Sequence, residues 1–222
     1  MKRIAISQRV CAEHKGARRD CLEQSYVQYY GAFGLTLLPV SNVLPNIPAY
    51  LRELKPDGMI LSGGNSVNPE LYGVSKSAGL NVAEERDATE KALLQFAEAE
   101  RLPVLCVCRG LQFLNVYFGG KLRMVKDHVA SFHPVELLKC EKADFGKKRT
   151  TVNSYHDFGF DTGELARGLK AFAVTADGLV EGAYHPGLPI AGIMWHPERE
   201  SPDAEFNDKL MRAFVDRKWF WK

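Results

Sequence analysis

No apolar run in this chain approaches the roughly 18 residues of a membrane-spanning helix, so helical membrane insertion is not expected. Residues 1–10 carry only Ile4-Ala5-Ile6 as a continuous apolar stretch, too short for the core of a signal peptide. An excess of one charge is missing too. With 29 Lys+Arg against 27 Asp+Glu, the formal charge is +2, which gives no overall electrostatic footprint of a nucleic-acid binder. Any attraction for anions must therefore be local. Cysteine is scarce, odd in number and scattered at positions 11, 21, 106, 108 and 140, with neither disulfide rhythm nor metal-ligand spacing, as expected of a reducing, cytoplasmic setting. Internal repeats, low-complexity tracts and linkers are also missing, so the 222 residues read as one domain. What is present is ordinary: 45% hydrophobic and 25% charged residues, enough to bury a sizeable core.

The pattern along the first half alternates. Residues 2–7 predict a strand, 20–33 a helix stopped by Gly34, 35–40 a second strand and 45–54 a short helix. Gly58-Met59-Ile60-Leu61 predicts a buried parallel strand opening into a tight turn at Ser62-Gly63-Gly64. Residues 84–100 predict a long helix. Pro103-Val104-Leu105-Cys106-Val107 reads as another buried strand, followed by a turn at Cys108-Arg109-Gly110 and a helix over 111–118 that Gly119-Gly120 ends. Short strands and loops are expected over 121–151, strands over 172–175, 180–184 and 190–195, and an amphipathic helix over 203–217. Alternating strands and helices point to an α/β fold, with an open, mostly parallel sheet covered on both faces.

Cys108 falls where a buried strand turns sharply into a helix. Such a turn pushes a side chain out of the sheet and sets its sulfur near a helix N-terminus, where unsatisfied N–H groups favour thiolate. The N–H of Arg109 is placed to hold a developing oxyanion. A lone cysteine is more often just a small hydrophobe, and only this turn argues otherwise.

Cys108-Arg109-Gly110-Leu111-Gln112, preceded by Pro103-Val104-Leu105, resembles the nucleophile signature of class I glutamine amidotransferases. Ser62-Gly63-Gly64, Asn68-Pro69-Glu70-Leu71-Tyr72, Glu85-Arg86-Asp87, Asn153-Ser154-Tyr155-His156 and Trp195-His196-Pro197-Glu198 extend the likeness to the γ-glutamyl-γ-aminobutyrate hydrolase branch, peptidase family C26. The resemblance implies a flavodoxin-like sheet, with Cys108 as nucleophile, His196 as acid and base, and Glu198 as the carboxylate that orients it. It further implies that the Gly64 N–H joins that of Arg109 in the oxyanion hole. Gln112 and the backbone around Tyr155, Asp157 and Phe158 would then hold the glutamyl group. The competing readings are a solvated or capping Gln112 and a plain strand-ending turn at Gly63-Gly64.

The chain departs from that pattern at Cys106, where many relatives have glycine, at Ser66 and Asn68 in place of aspartates, and at Asp157 in place of histidine or glutamine. These differences bear on the leaving group. Arg9, Arg18 and Arg19 follow the first strand, on the side where open α/β sheets bind ligands, and could grip an anionic leaving group or simply belong to a solvated loop. Within the resemblance this favours hydrolases that release a nucleotide amidate from a γ-glutamyl conjugate in surface-polysaccharide modification, with γ-glutamyl-γ-aminobutyrate the other substrate in view. Lys147-Lys148-Arg149 reads as an exposed hairpin rather than a nucleic-acid contact.

His14, His128, His133 and His185 read as surface or loop residues, and His156 as a wall of the pocket. No cofactor and no metal is called for. The tail Lys218-Trp219-Phe220-Trp221-Lys222 is expected to dock on its own domain or on a second copy in a homodimer rather than on a membrane. The leading function is a cysteine hydrolase cleaving the γ-glutamyl amide of a small molecule. The alternatives are a glutaminase subunit that delivers ammonia to a separate synthase, and a non-enzymatic binding module.

Overall fold

The computed structural model describes residues 1–12, 16–75 and 79–222; His14 lies outside them. In chain order the elements are β1 (Lys2–Ser7), β2 (Arg9–Ala12), β3 (Arg18–Cys21), α1 (Gln24–Ala32), β4 (Leu35–Val40), α2 (Ile47–Leu54), β5 (Gly58–Leu61), α3 (Glu84–Glu100), β6 (Val104–Val107) and α4 (Arg109–Tyr117). They continue with β7 (Arg123–Met124), β8 (Val129–Leu137), β9 (Arg149–Tyr155), β10 (Phe158–Gly159), β11 (Lys170–Val174), β12 (Val180–Tyr184), β13 (Ile190–Ile193) and α5 (Ala204–Val215).

Nine strands form one sheet in the order β4-β1-β5-β6-β13-β12-β11-β8-β9. The first five are mutually parallel and the rest antiparallel. Every residue of β5, β6 and β13 is buried, which is why these short strands read as unbroken apolar runs. Two cores sandwich the sheet. Tyr26, Tyr30, Phe172, Trp195 and Phe206 lie in one, and Leu51, Leu93, Leu94, Leu111 and Phe160 in the other. The aromatic tail belongs to the first: Phe220 and Trp221 are buried, and the Trp221 indole donates to the Val104 carbonyl at 2.7 Å.

Helix starts follow local chemistry. The Asn46 side chain accepts from Ala49 N at 3.0 Å and Asp203 accepts from Phe206 N at 3.1 Å, each satisfying an orphan N–H of the first turn. Two expectations need correction. Residues 20–23 do not open the first helix: Arg18–Cys21 pairs antiparallel with β2, and α1 begins at Gln24. The Asp20 carboxylate accepts instead from Ser41 Oγ (2.8 Å) and from Asn42 N (3.0 Å) and Nδ2 (2.6 Å), tying the β2–β3 ribbon to the loop after β4. The stretch 121–151 contains a nine-residue strand, β8, whose Pro134 stands where the strand pairs with β9 alone, so no ladder bond is lost.

Candidate active site

Three adjacent parallel strands deliver the candidate residues at their carboxyl ends. β6 carries Cys108, its neighbour β5 leads into Ser62-Gly63-Gly64, and β13 on the other side leads into His196 and Glu198. Cys108 sits at φ 51°, ψ −107°, a conformation that costs a non-glycine residue about 1–3 kcal/mol. Backbone bonds hold it there: Cys108 N donates to the Ile193 carbonyl at 2.8 Å, and the Cys108 carbonyl accepts from Leu111 N at 2.9 Å and Gln112 N at 3.1 Å. Gly110 is required by contact, since a Cβ would stand 2.3 Å from the Leu61 carbonyl oxygen. Cys106, two residues before the elbow, is accommodated opposite Gly192, where a Cβ would come within 2.9 Å of its own.

The His196 imidazole bonds the Glu198 carboxylate through Nδ1 at 2.6 Å, and its other side meets the Cys108 thiol. A carboxylate only accepts here, so Nδ1 carries hydrogen and Nε2 is left for the sulfur. Burial alone would push the Cys108 thiol up. The neighbouring imidazolium of His196 and the hydrogen bonds from His196 and the Arg109 N–H overcome it and hold the thiol below its ordinary range. Burial likewise disfavours charge on His196, yet the thiolate and Glu198 raise it to about 10. The pair is thus poised as thiolate and imidazolium.

The turn after β5 is clamped from behind by Arg86, which donates to the Ser62 carbonyl at 2.6 Å and the Gly63 carbonyl at 2.9 Å. Gly63 N donates to the Tyr26 hydroxyl at 2.9 Å. Gly64 has φ +101°, and a Cβ there would lie 2.9 Å from that of Arg9. Arg86 is itself buried against Glu90, and the Arg109 side chain is buried between Asp87 and Glu90, so two cations and two anions balance beneath the site. Burial combined with the Glu198 charge pushes the Tyr26 phenol well up, so it stays protonated.

A cavity of about 350 Å³ opens in front of Cys108. Gly64, Arg109, Gln112, His196, Arg9 and the segment Tyr155, His156, Asp157, Phe158 line it, and Glu198 stands behind His196. Gln112 Nε2 donates to the Phe158 carbonyl at 2.8 Å, joining α4 to that segment. Of the three arginines considered for a leaving group, only Arg9 lines the cavity. Arg18 bonds Glu85 at 2.7 Å, and Arg19 is exposed on β3; both lie toward the far end of a ribbon in which Arg18 pairs with Ala12 and Arg19 with Cys11. Arg199, which sequence reasoning missed, also lines the cavity; its guanidinium lies 4.5 Å from the Tyr155 ring centroid, and it bonds Glu23 at 3.1 Å.

Arg86 and Glu90 were also missed as site residues, although a signal existed. Positions 86, 87, 89, 90, 93, 94 and 97 form the buried face of α3, so charges occupy apolar positions of a helix. His128 and His133 are corrected as well. His128 does lie in a loop, the one before β8, but is buried there, and His133 is half-buried within β8; both turn toward His156 and the fully buried Glu181.

Fold and site together define a class I glutamine amidotransferase-like protein with a thiol, an imidazole and a carboxylate in line at the ends of adjacent strands. The model of the peptidase C26 family matches residues 4–198, and the chain belongs to that family. It is 34% identical over 211 residues to a glutamine amidotransferase-like protein of Lactococcus lactis, covering 87% of each chain. It is 27% identical over 202 residues to the γ-glutamyl-CDP-amidate hydrolase of Campylobacter jejuni, covering 89% of this chain and 90% of that one. The solved glutaminase domain of Trypanosoma brucei CTPS, with bound acivicin, has a TM-score of 0.68 at 16% identity over 100% of this chain and 97% of that one, a likeness of fold alone. No helix among the described residues is long and apolar enough to cross a membrane.

Proposed function

We propose that the protein hydrolyses the γ-glutamyl amide bond of a small anionic conjugate, with Cys108, His196 and Glu198 as its catalytic residues. The observation that carries this reading is the Cys108–His196–Glu198 contact line at a positive-φ elbow facing the cavity. The Cys108 thiolate attacks the γ-carbonyl carbon, and the resulting oxyanion is held by the N–H groups of Gly64 and Arg109. As the tetrahedral species collapses, the C–N bond breaks and imidazolium His196 gives its proton to the leaving nitrogen. The neutral imidazole then takes a proton from water. The hydroxide formed cleaves the glutamyl thioester, and glutamate leaves as the thiolate is restored. Glu198 fixes the tautomer and faces the imidazolium charge throughout.

The glutamyl half is assigned to the wall formed by Gln112 and residues 155–158. The leaving group is assigned to the side bearing Arg9 and Arg199, whose guanidinium groups suit carboxylate or phosphate oxygens. The C. jejuni relative, named for a γ-glutamyl nucleotide amidate, supports an anionic leaving group. The test is glutamate release from a panel comprising a γ-glutamyl nucleotide amidate, γ-glutamyl-γ-aminobutyrate, an uncharged γ-glutamyl amide and glutamine. Turnover of the anionic conjugates that is abolished by Cys108→Ala is the expected result. Cleavage of glutamine alone, and only beside a synthase partner, would establish the glutaminase-subunit reading instead.

A further inference from the structure

Glu181 lies on β12 at 0% exposure, and neither of its carboxylate oxygens has a hydrogen-bond donor among the described residues. A buried carboxylate left in that state is strongly disfavoured unless a positive charge compensates it. Three imidazole nitrogens surround its Oε1: His156 Nε2 at 3.5 Å, His128 Nδ1 at 3.7 Å and His133 Nε2 at 3.8 Å. Charge-assisted hydrogen bonds are much shorter, about 2.7–2.9 Å. These separations instead resemble the edges of a coordination tetrahedron, which for metal–ligand bonds of about 2.0–2.2 Å measure about 3.3–3.6 Å. One ligand atom from each of the four residues lies within 4.8 Å of all the others.

The lone pairs point the same way. His156 Nδ1 is 3.0 Å from the Phe158 carbonyl, which can only accept, so Nδ1 holds a hydrogen and, in the neutral ring, Nε2 presents a lone pair toward Glu181. That Nε2 and both His133 ring nitrogens have no hydrogen-bond partner among the described residues. The Ser154 hydroxyl gives its hydrogen to the His128 carbonyl at 2.6 Å, so it does not donate to the His128 Nδ1 3.3 Å away. With the rings neutral, lone pairs converge on an unpaired carboxylate, an arrangement that a cation among them relieves. A backbone carbonyl holding the far nitrogen of a ligating histidine is the usual outer shell of a metal site.

We propose that His128, His133, His156 and Glu181 bind a divalent transition-metal ion of the zinc class. Three imidazoles and one carboxylate suit zinc or cobalt rather than calcium or magnesium, and four protein ligands make a closed, structural site. The ion joins the loop before β8, β8 itself and β12 to the residue that follows β9. His156 stands between Tyr155 and Asp157 in the cavity wall, so the metal braces the surface facing Cys108. This inference stands apart from the proposed reaction, because it concerns binding alone.

The test is titration of the chelator-stripped full-length protein with Co²⁺. We expect the visible d–d absorption of four-coordinate Co²⁺ to saturate at one ion per chain, to be displaced by Zn²⁺, and to be accompanied by a rise in thermal midpoint. His133→Ala, at the most exposed of the four positions, should stay folded by circular dichroism. It should lose affinity by more than the roughly 10–100-fold that removing an outer-shell partner costs. Cys108→Ala should bind as the parent does. Failure of the stripped parent protein to bind Co²⁺ or Zn²⁺ saturably, binding unaffected by both His133→Ala and His128→Ala, or binding lost in Cys108→Ala would each overturn the proposal.

Discussion

Asn153 grips the backbone of His196 from both sides: its Oδ1 accepts the His196 N–H at 2.8 Å and its Nδ2 donates to the His196 carbonyl at 2.8 Å, with a further bond to the Glu200 carbonyl at 2.7 Å. The orientation of the imidazole is thereby set from β9, outside the motif that contains it. Asn153→Ala leaves buried backbone groups unpaired, at about 1–3 kcal/mol each, and frees the ring to drift. A fall in kcat of about 100-fold, with KM little changed, is expected for misplacement on the order of 1 Å. Unaltered kcat in a folded variant would remove Asn153 from the positioning role.

The pH behaviour follows from the thiolate–imidazolium pair. Cys108 is held below its ordinary range, so alkylation by iodoacetamide should persist at pH values where a free thiol, with a pKa of about 8.5, is protonated. Amide cleavage also needs the His196 proton, which is lost as pH rises through about 10. The kcat/KM profile should therefore fall in acid as Cys108 protonates and in alkali near 10, while alkylation falls only in acid. In His196→Gln the alkylation midpoint should move up, because the compensating cation is gone. An alkylation midpoint of about 8.5 or higher in the parent protein would be incompatible with the ion pair.

Glycine at 63 and 64 is tested by adding one methyl group. In Gly63→Ala the new Cβ would stand 2.7 Å from His196 Cε1, and in Gly64→Ala it meets Arg9 at 2.9 Å from a positive φ. Displacing the Gly64 N–H should lower kcat by about 100-fold or more, as removal of an oxyanion donor does elsewhere. Binding of a non-hydrolysed γ-glutamyl analogue, read by calorimetry, should change far less. An equal loss in both would mean that the turn serves only to bind.

The two cavity arginines divide from the third. Arg9→Ala and Arg199→Ala should raise KM for anionic conjugates more than for an uncharged γ-glutamyl amide, whereas Arg18→Ala, paired with Glu85 away from the cavity, should leave both unchanged. If all three variants behaved alike, the anion preference would lose its structural basis.

The aromatic tail is structural. Trp221 is 1% exposed, packs edge-on against Phe214 and donates to the strand that carries Cys108. Trp221→Ala should cost about 3–5 kcal/mol in denaturant unfolding, as large-to-small changes in a core do. A loss below 1 kcal/mol would show that the tail is only loosely attached.

The sequence by itself determined whatever depends on neighbours along the chain. The apolar runs of β5 and β6, the boundaries of α3, the Asp203 start of α5 and the Cys108-Arg109-Gly110 elbow are all written locally, because helix period, strand burial and turn chemistry act over a few residues. The pairing of His196 with Glu198 was implied by the resemblance carried in Trp195-His196-Pro197-Glu198, again a local stretch of chain. Tertiary structure decided what the crossovers bring together. Only the sheet order sets β13 beside β6, and only the β2–β3 ribbon separates Arg9 from Arg18 and Arg19. The charged face of α3 became intelligible once its Arg86 was seen clamping the Ser62 and Gly63 carbonyls. His128, His133, His156 and Glu181 come from a loop, two strand regions and a third strand. Residues with no shared period along the chain cannot announce a common site, and the antiparallel half of the sheet makes them neighbours.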